Sequence, residues 1–173
     1  ARRGLRVPAE YDADPLQQVT VGDMMVTTTL NLRSDMRVKE LADHIARGEP
    51  DYVRHQAFLI VDEDDNLAGI ITRGDLLVAL EEPAGGDLSV LHAGTRQVVV
   101  AYPDEMIHDA LNKLVHNDIG RLPVVSREDP RLIVGYLSRG AILRARRRRA
   151  DEEHRREEGW LERLKNGGVG SRA

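Results

Sequence analysis

Four residues, Thr72-Arg73-Gly74-Asp75, place a hydroxyl and a carboxylate three positions apart. A carboxylate accepts several hydrogen bonds at once, so this pair has the chemistry to hold a vicinal diol. The same spacing is a capping box, in which the threonine closes a helix start and the acid reaches back to its amide. The residues alone leave both readings open. Nearly the same words return at Ser138-Arg139-Gly140-Ala141, with the hydroxyl kept and the acid lost. Gly74 and Gly140 fall in the first turn of the helix that would follow. There a small residue lets backbone N–H groups approach an anion, or simply permits tight packing.

Other chemistry finds little footing. His44, His55, His92, His108, His116 and His154 stand at no metal-ligand spacing with a carboxylate, so no metal site is expected. No Walker A run supports phosphate hydrolysis, and residue types alone support no Ser-His-Asp or Cys-His relay. We therefore expect no catalytic residue and no enzymatic activity. Cysteine is absent, which excludes disulfides and fits a reducing compartment. The net charge of −4, with Arg144 and Arg146 to Arg149 followed by Asp151, Glu152, Glu153, Glu157 and Glu158, argues against a nucleic-acid binder. The longest apolar runs, such as Phe58 to Val61, are far too short to span a bilayer. The chain opens at Ala1 rather than Met, which reads as a piece excised from a longer polypeptide.

The elements that would position Thr72 and Ser138 occur twice. One copy runs from about Val19 to Leu80, the other from about Leu88 to Leu143. Each opens with a β-rich stretch, Val26 to Leu30 or Gln97 to Ala101. A helix follows, marked by Val38, Leu41, Ala42 and Ile45, or by Ile107, Ala110, Leu111, Leu114 and Val115, at helical spacing. Then come an apolar strand (Ala57 to Val61, Leu122 to Val125), a polar turn, and a further strand ending in Gly69-Ile70-Ile71-Thr72 or Gly135-Tyr136-Leu137-Ser138. Thr72 and Ser138 then begin the last helix of each copy. Thr72 to Ser138 is an offset of 66, whereas Val21 to Val90 and Asp35 to Asp104 is 69, the gaps falling in loops. The expected fold is α/β, two β-α-β-β-α repeats packed about a pseudo-two-fold axis, since one such unit is marginal alone. Such packing creates two related clefts.

The motifs Gly69-Ile70-Ile71-Thr72-Arg73-Gly74-Asp75, Gly120-Arg121-Leu122-Pro123-Val124-Val125 and Gly135-Tyr136-Leu137-Ser138 resemble those of the cystathionine-β-synthase (CBS) domain, and the tandem resembles a Bateman module. The likeness covers about Val19 to Arg146. It implies an adenine-nucleotide site (ATP, ADP or AMP) in which Thr72 and Asp75 meet the ribose. By the same likeness Gln56 and Ile70 complete the site from their own copy, and Thr95, Ile119 and Gly120 from the other. Ser138, Tyr136, Arg121, Thr27 and Thr28 would form a second, weaker site, because Ala141 supplies no carboxylate. CBS pairs also imply a homodimer.

A narrower likeness lies upstream. Ala1 to Pro8 followed by Asp14-Pro15-Leu16 resembles the segment leaving the last membrane helix of bacterial ClC-type chloride channels and transporters. The duplication sets CBS repeats over 19–82 and 83–146, and composition reads a charged helical tail with a disordered end over 147–173; the upstream likeness implies a juxtamembrane linker over 1–18. It also implies a regulatory place at the cytoplasmic face of the cell membrane, with the membrane-embedded chloride channel or transporter domain of the same chain as partner. The alternatives are a CBS pair regulating another transporter or an enzyme, and a ligand-free structural dimerisation module. In the tail, Arg148–Glu152, Arg149–Glu153 and Asp151–Arg155 sit at helical i,i+4 spacing, while Trp160, Leu161 and Leu164 could anchor a partner helix.

Overall fold

The computed structural model describes residues 18–27 and 29–166, without the side chains at 149, 150, 153 and 164–166. In chain order the elements are α1 (Val21–Met24), β1 (Asn31–Arg33), α2 (Val38–Ala46), α3 (Pro50–Val53), β2 (Ala57–Val61), β3 (Leu67–Thr72), α4 (Arg73–Glu81), α5 (Val90–Ala93), α6 (Ile107–His116), β4 (Arg121–Val125), β5 (Ile133–Ser138) and α7 (Arg139–Asn166). Strand β2 lies between β1, parallel, and β3, antiparallel; all five of its residues are buried, as a central strand covered on both faces requires. Strands β4 and β5 form the matching antiparallel pair. The amphipathic stripes bury Val38 and Leu41 on α2, and Ile107, Ala110 and Leu114 on α6.

The opening strands lie elsewhere than expected. In the first copy the strand begins at Asn31, not Val26. In the second no strand forms over 97–101, and the parallel pairing shrinks to one bridge between Ala101 and Val124. Leu32, paired with Ile60, is 69 positions before Ala101, so the true equivalents follow the helix offset. Val26 instead bridges Tyr136 of the other copy, and Thr95, again 69 on, bridges Ile70.

These crossings form a reciprocal exchange. Val19 and Val21 pack in the core built by α6, β4, β5 and α7, while Val90 packs in the core of the first copy. The hydrogen bonds repeat with the symmetry: Val21 N–H donates to Glu105 O (2.8 Å) and Ile107 N–H to Val19 O (2.9 Å), as Val90 N–H donates to Met36 O (2.8 Å) and Val38 N–H to Leu88 O (2.9 Å). Gly69 and Gly135 make room for the crossing segments. A Cβ at Gly69 would lie 2.8 Å from Thr95 O, and one at Gly135 2.7 Å from Met25 Sδ. Each packing unit thus borrows a short helix from the far side of the sequence, so the two copies share one interlocked fold.

Helix α7 continues without a break from the second copy into the tail, 28 residues in all. Its described ion pair is His154 with Glu158 at 3.4 Å. Arg148–Glu152 and Asp151–Arg155 make none, because exposed pairs of long side chains gain little over solvation. The Arg149–Glu153 pair, the Leu164 side chain, the expected disordered end and the upstream linker to position 17 lie outside the described residues.

Candidate functional site

Thr72 ends β3 and caps α4, so one short segment serves both the sheet and the helix start. Its N–H and its hydroxyl both donate to Asp75 Oδ2 at 2.8 Å, and Asp75 N–H donates back to Thr72 Oγ1 at 3.1 Å. The capping box is therefore formed. It uses one carboxylate oxygen, and Oδ1 makes no hydrogen bond to the described residues, leaving acceptor capacity at the lip of a cleft.

That cleft, about 270 Å³, is lined by Ile70, Thr72 and Asp75 from one copy and by Thr95, Gln97, Val98, Val99, Asp118, Ile119, Gly120 and Arg121. Ile70 and Thr95 exchange hydrogen bonds of 2.9 and 2.8 Å, so the crossing segment is fixed against β3. Apolar walls from Ile70, Val98, Val99 and Ile119 stand beside two carboxylates and one arginine. Such a surface suits a flat, apolar ring carrying a hydroxylated appendage.

A second cleft, about 510 Å³, opens at Ser138 and is its two-fold mate. Ala141 N–H donates to Ser138 Oγ at 3.1 Å, so half of a capping box survives. Its lining includes Tyr136, Arg121, Gly140 and Ala141, together with Arg54, His55, Gln56, Arg139 and Arg144. Burial pushes the Tyr136 phenol up to about 12, against the opposing charge and hydrogen bond of Arg121.

The geometry thus gathers Thr72, Asp75, Ile70, Thr95, Ile119 and Gly120 in one cleft. Gln56 is not among them: it lines the Ser138 cleft, although its carbonyl accepts from Arg73 N–H at 3.1 Å. The reason is the crossed packing. Arg54, His55 and Gln56 stand 64 positions before Asp118, Ile119 and Gly120, and each triplet precedes a central strand and faces the cleft opened by the other copy. Arg121 borders both clefts. Thr27 lines neither, its place being taken by Val26 and Thr29, and Thr28 lies outside the described residues. Sequence reasoning missed Asp118, Arg54 and Arg144; the loop offset of 64 could have paired the first two. No cluster of three or more potential metal ligands occurs among the described residues.

A family model described as CBS domain matches residues 21–82 and 90–148. An inosine-5′-monophosphate dehydrogenase of Nitrosopumilus maritimus is 27% identical over 117 residues, 68% of this chain and 22% of that enzyme. The chain spans 40% or less of the length of such curated relatives. Among solved structures, the CBS-domain pair of protein MJ0100, in complex with 5′-methylthioadenosine and S-adenosyl-L-methionine, is similar at 27% identity and a TM-score of 0.62, covering 73% of this chain and 94% of that one. The cytosolic domain of the Mg²⁺ channel MgtE, in complex with ATP, shares the fold at 24% identity and a TM-score of 0.61, covering 73% and 48%.

Proposed function

This chain belongs to the CBS-domain family as a tandem pair, and from that premise we propose that it is a regulatory module sensing an adenine nucleotide in the Thr72–Asp75 cleft. One observation carries the proposal: six residues from both copies converge there around a carboxylate with an uncommitted oxygen. Asp75 Oδ1 would accept from the ribose hydroxyls while the apolar walls hold the adenine. Because the cleft is shared, a ligand favours one arrangement of the copies over others and shifts a two-state equilibrium in whatever is attached. Calorimetric titration with AMP, ADP and ATP tests the reading. One dominant site is expected, weakened about ten- to a hundredfold in Asp75→Asn; equal binding by both proteins would overturn it.

A second reading concerns the ligand's charge. Asp75 and Asp118 face the same cleft, which favours an adenosyl compound without phosphates, as found in the MJ0100 pair. Tighter binding of 5′-methylthioadenosine than of ATP would select it.

The attached partner is proposed to be a ClC-type chloride channel or transporter domain at the cytoplasmic face of the membrane. Its support is the likeness of Ala1 to Pro8 and Asp14 to Leu16, and the cytosolic domain of the Mg²⁺ channel MgtE, similar in fold, gives a parallel on a membrane protein. No helix among the described residues is long and apolar enough to cross a membrane. A reading frame lacking hydrophobic spans ahead of Ala1 would remove this partner in favour of an enzyme such as those among the relatives. The homodimer is proposed from Leu77 and Val78 on α4 and Leu143 on α7, which are 63%, 64% and 56% exposed.

A further inference from the structure

Helix α7 outruns the body that supports it. From Ala145 onward none of its described side chains is buried, and Trp160 and Leu161 are 59% and 49% exposed. A solvated stretch of this length is marginal as an isolated helix, and its described ion pair, His154 with Glu158, adds little. Its charge is divided along its length. Arg144 and Arg146 to Arg148 come first, whereas Glu157, Glu158 and Glu162 flank Trp160 and Leu161.

At the base of α7 a groove of about 490 Å³ runs beside α1. Met24, Ala141 and Ala145 are its half-buried apolar members; Arg144, Arg147 and Arg148 are exposed, with Asp23 on the α1 side. Those three arginines pair with no carboxylate among the described side chains. The groove suits an apolar side chain flanked by acids, which is what Trp160 and Leu161 offer. They cannot reach the groove of their own chain, because α7 runs unbroken and Trp160 lies about 22 Å beyond Ala145. Gly159 points the same way. A glycine weakens a helix interior, and a Cβ there would meet nothing within 4 Å, so its own chain gives no reason for one. Close approach of a second helix does.

We propose that the α7 helices of two copies lie antiparallel, each seating its Trp160 and Leu161 in the groove of the other. A register that sets Gly159 against Ala145 also sets Leu161 against Leu143, Glu157 and Glu158 against Arg147 and Arg146, and the Trp160 ring against the Arg144 guanidinium. Two-fold symmetry makes every such contact twice. An anionic membrane suits this segment poorly, since the acids beside Trp160 would face its headgroups. The contact rests on the homodimer proposed from α4 and Leu143. Two tryptophans and two leucines bury less than the roughly 1,000 Å² that a stable pair of copies needs, so the tails dock within that dimer.

Trp160 is the one tryptophan of the chain and cysteine is absent, so fluorescence and disulfide trapping both report this contact alone. In wild-type protein sedimenting as a dimer, Trp160 emission should lie at shorter wavelength and resist acrylamide quenching. Both effects should be lost in the Leu77→Glu/Val78→Glu protein. Arg146→Glu/Arg147→Glu should lose them too, and adding Glu157→Arg/Glu158→Arg should restore them. Under mild oxidation Ala145→Cys/Gly159→Cys should form an intermolecular disulfide, which neither single variant should. Melting temperatures matching wild type show that the charge variants spare the fold. A dimer whose Trp160 is quenched as freely as in the Leu77→Glu/Val78→Glu protein would overturn the docking and leave the α4 dimer standing. A monomeric wild type with exposed Trp160 would overturn both. Emission that shifts only when vesicles of phosphatidylcholine and phosphatidylserine are added would also overturn it, with a membrane as the occupant.

Discussion

Asp75 serves helix and cleft with different oxygens, and its substitutions should separate the two duties. Asp75→Asn keeps an acceptor for the Thr72 amide, so thermal stability should change little while nucleotide binding falls. Asp75→Ala should lose both, with a stability cost of about 1 kcal/mol for the vacated hydrogen bonds. Thermal melts of the two variants check this, and a stable Ala variant would contradict the shared duty. Tyr136 gives a pH signature. Its phenol is driven to about 12 by burial, above the ordinary value near 10. The neutral form is favoured by the fold, so this contribution is intact below pH 10 and is lost as pH rises from 10 toward 12. Absorbance titration against Tyr136→Phe should show its late ionisation; a phenol ionising at the ordinary value would refute it. The cap at Thr72 was readable from spacing alone, because capping is local. The placement of Gln56 was not, because the cleft a loop residue faces depends on how two distant copies cross.

At the scale of elements, the repeat and both long amphipathic helices were plain in the periodicity, since Val38, Leu41, Ile107 and Leu114 answer to burial on one face. The opening strands were not. Val26 to Leu30 has the composition of a strand, yet Val26 pairs with Tyr136 across the fold, and the strand proper starts at Asn31, whose polar character hides it. The short helices α1 and α5 exchange between copies through tertiary packing that no local pattern encodes. Gly94 is their most sensitive joint: a Cβ there would lie 2.5 Å from Ile70 O and 3.0 Å from Val90 O. Gly94→Ala should therefore push Thr95 from Ile70, cost about 1–3 kcal/mol of stability and weaken ligand at the Thr72 cleft. Denaturant unfolding reads the first effect and titration the second; a variant of native stability would contradict the close crossing.

For the whole molecule, the interlocked copies make the clefts and the outer helix faces parts of one body. Helix α4 buries Leu76 and Ala79 inward yet shows Leu77 and Val78 outward, more apolar surface than an isolated face needs. Sedimentation velocity should find a dimer that Leu77→Glu/Val78→Glu converts to monomer; a monomeric wild-type protein would count against the dimer. The sensing role itself is tested most directly by mapping AMP on the ¹H–¹⁵N NMR spectrum of the wild-type chain. Saturable shifts at Ile70, Thr72, Thr95, Ile119 and Gly120, drawn from both copies and needing about ten- to a hundredfold more AMP in Asp75→Asn, are the predicted result. An unperturbed spectrum at saturating AMP, or shifts that persist unchanged in Asp75→Asn, would contradict it.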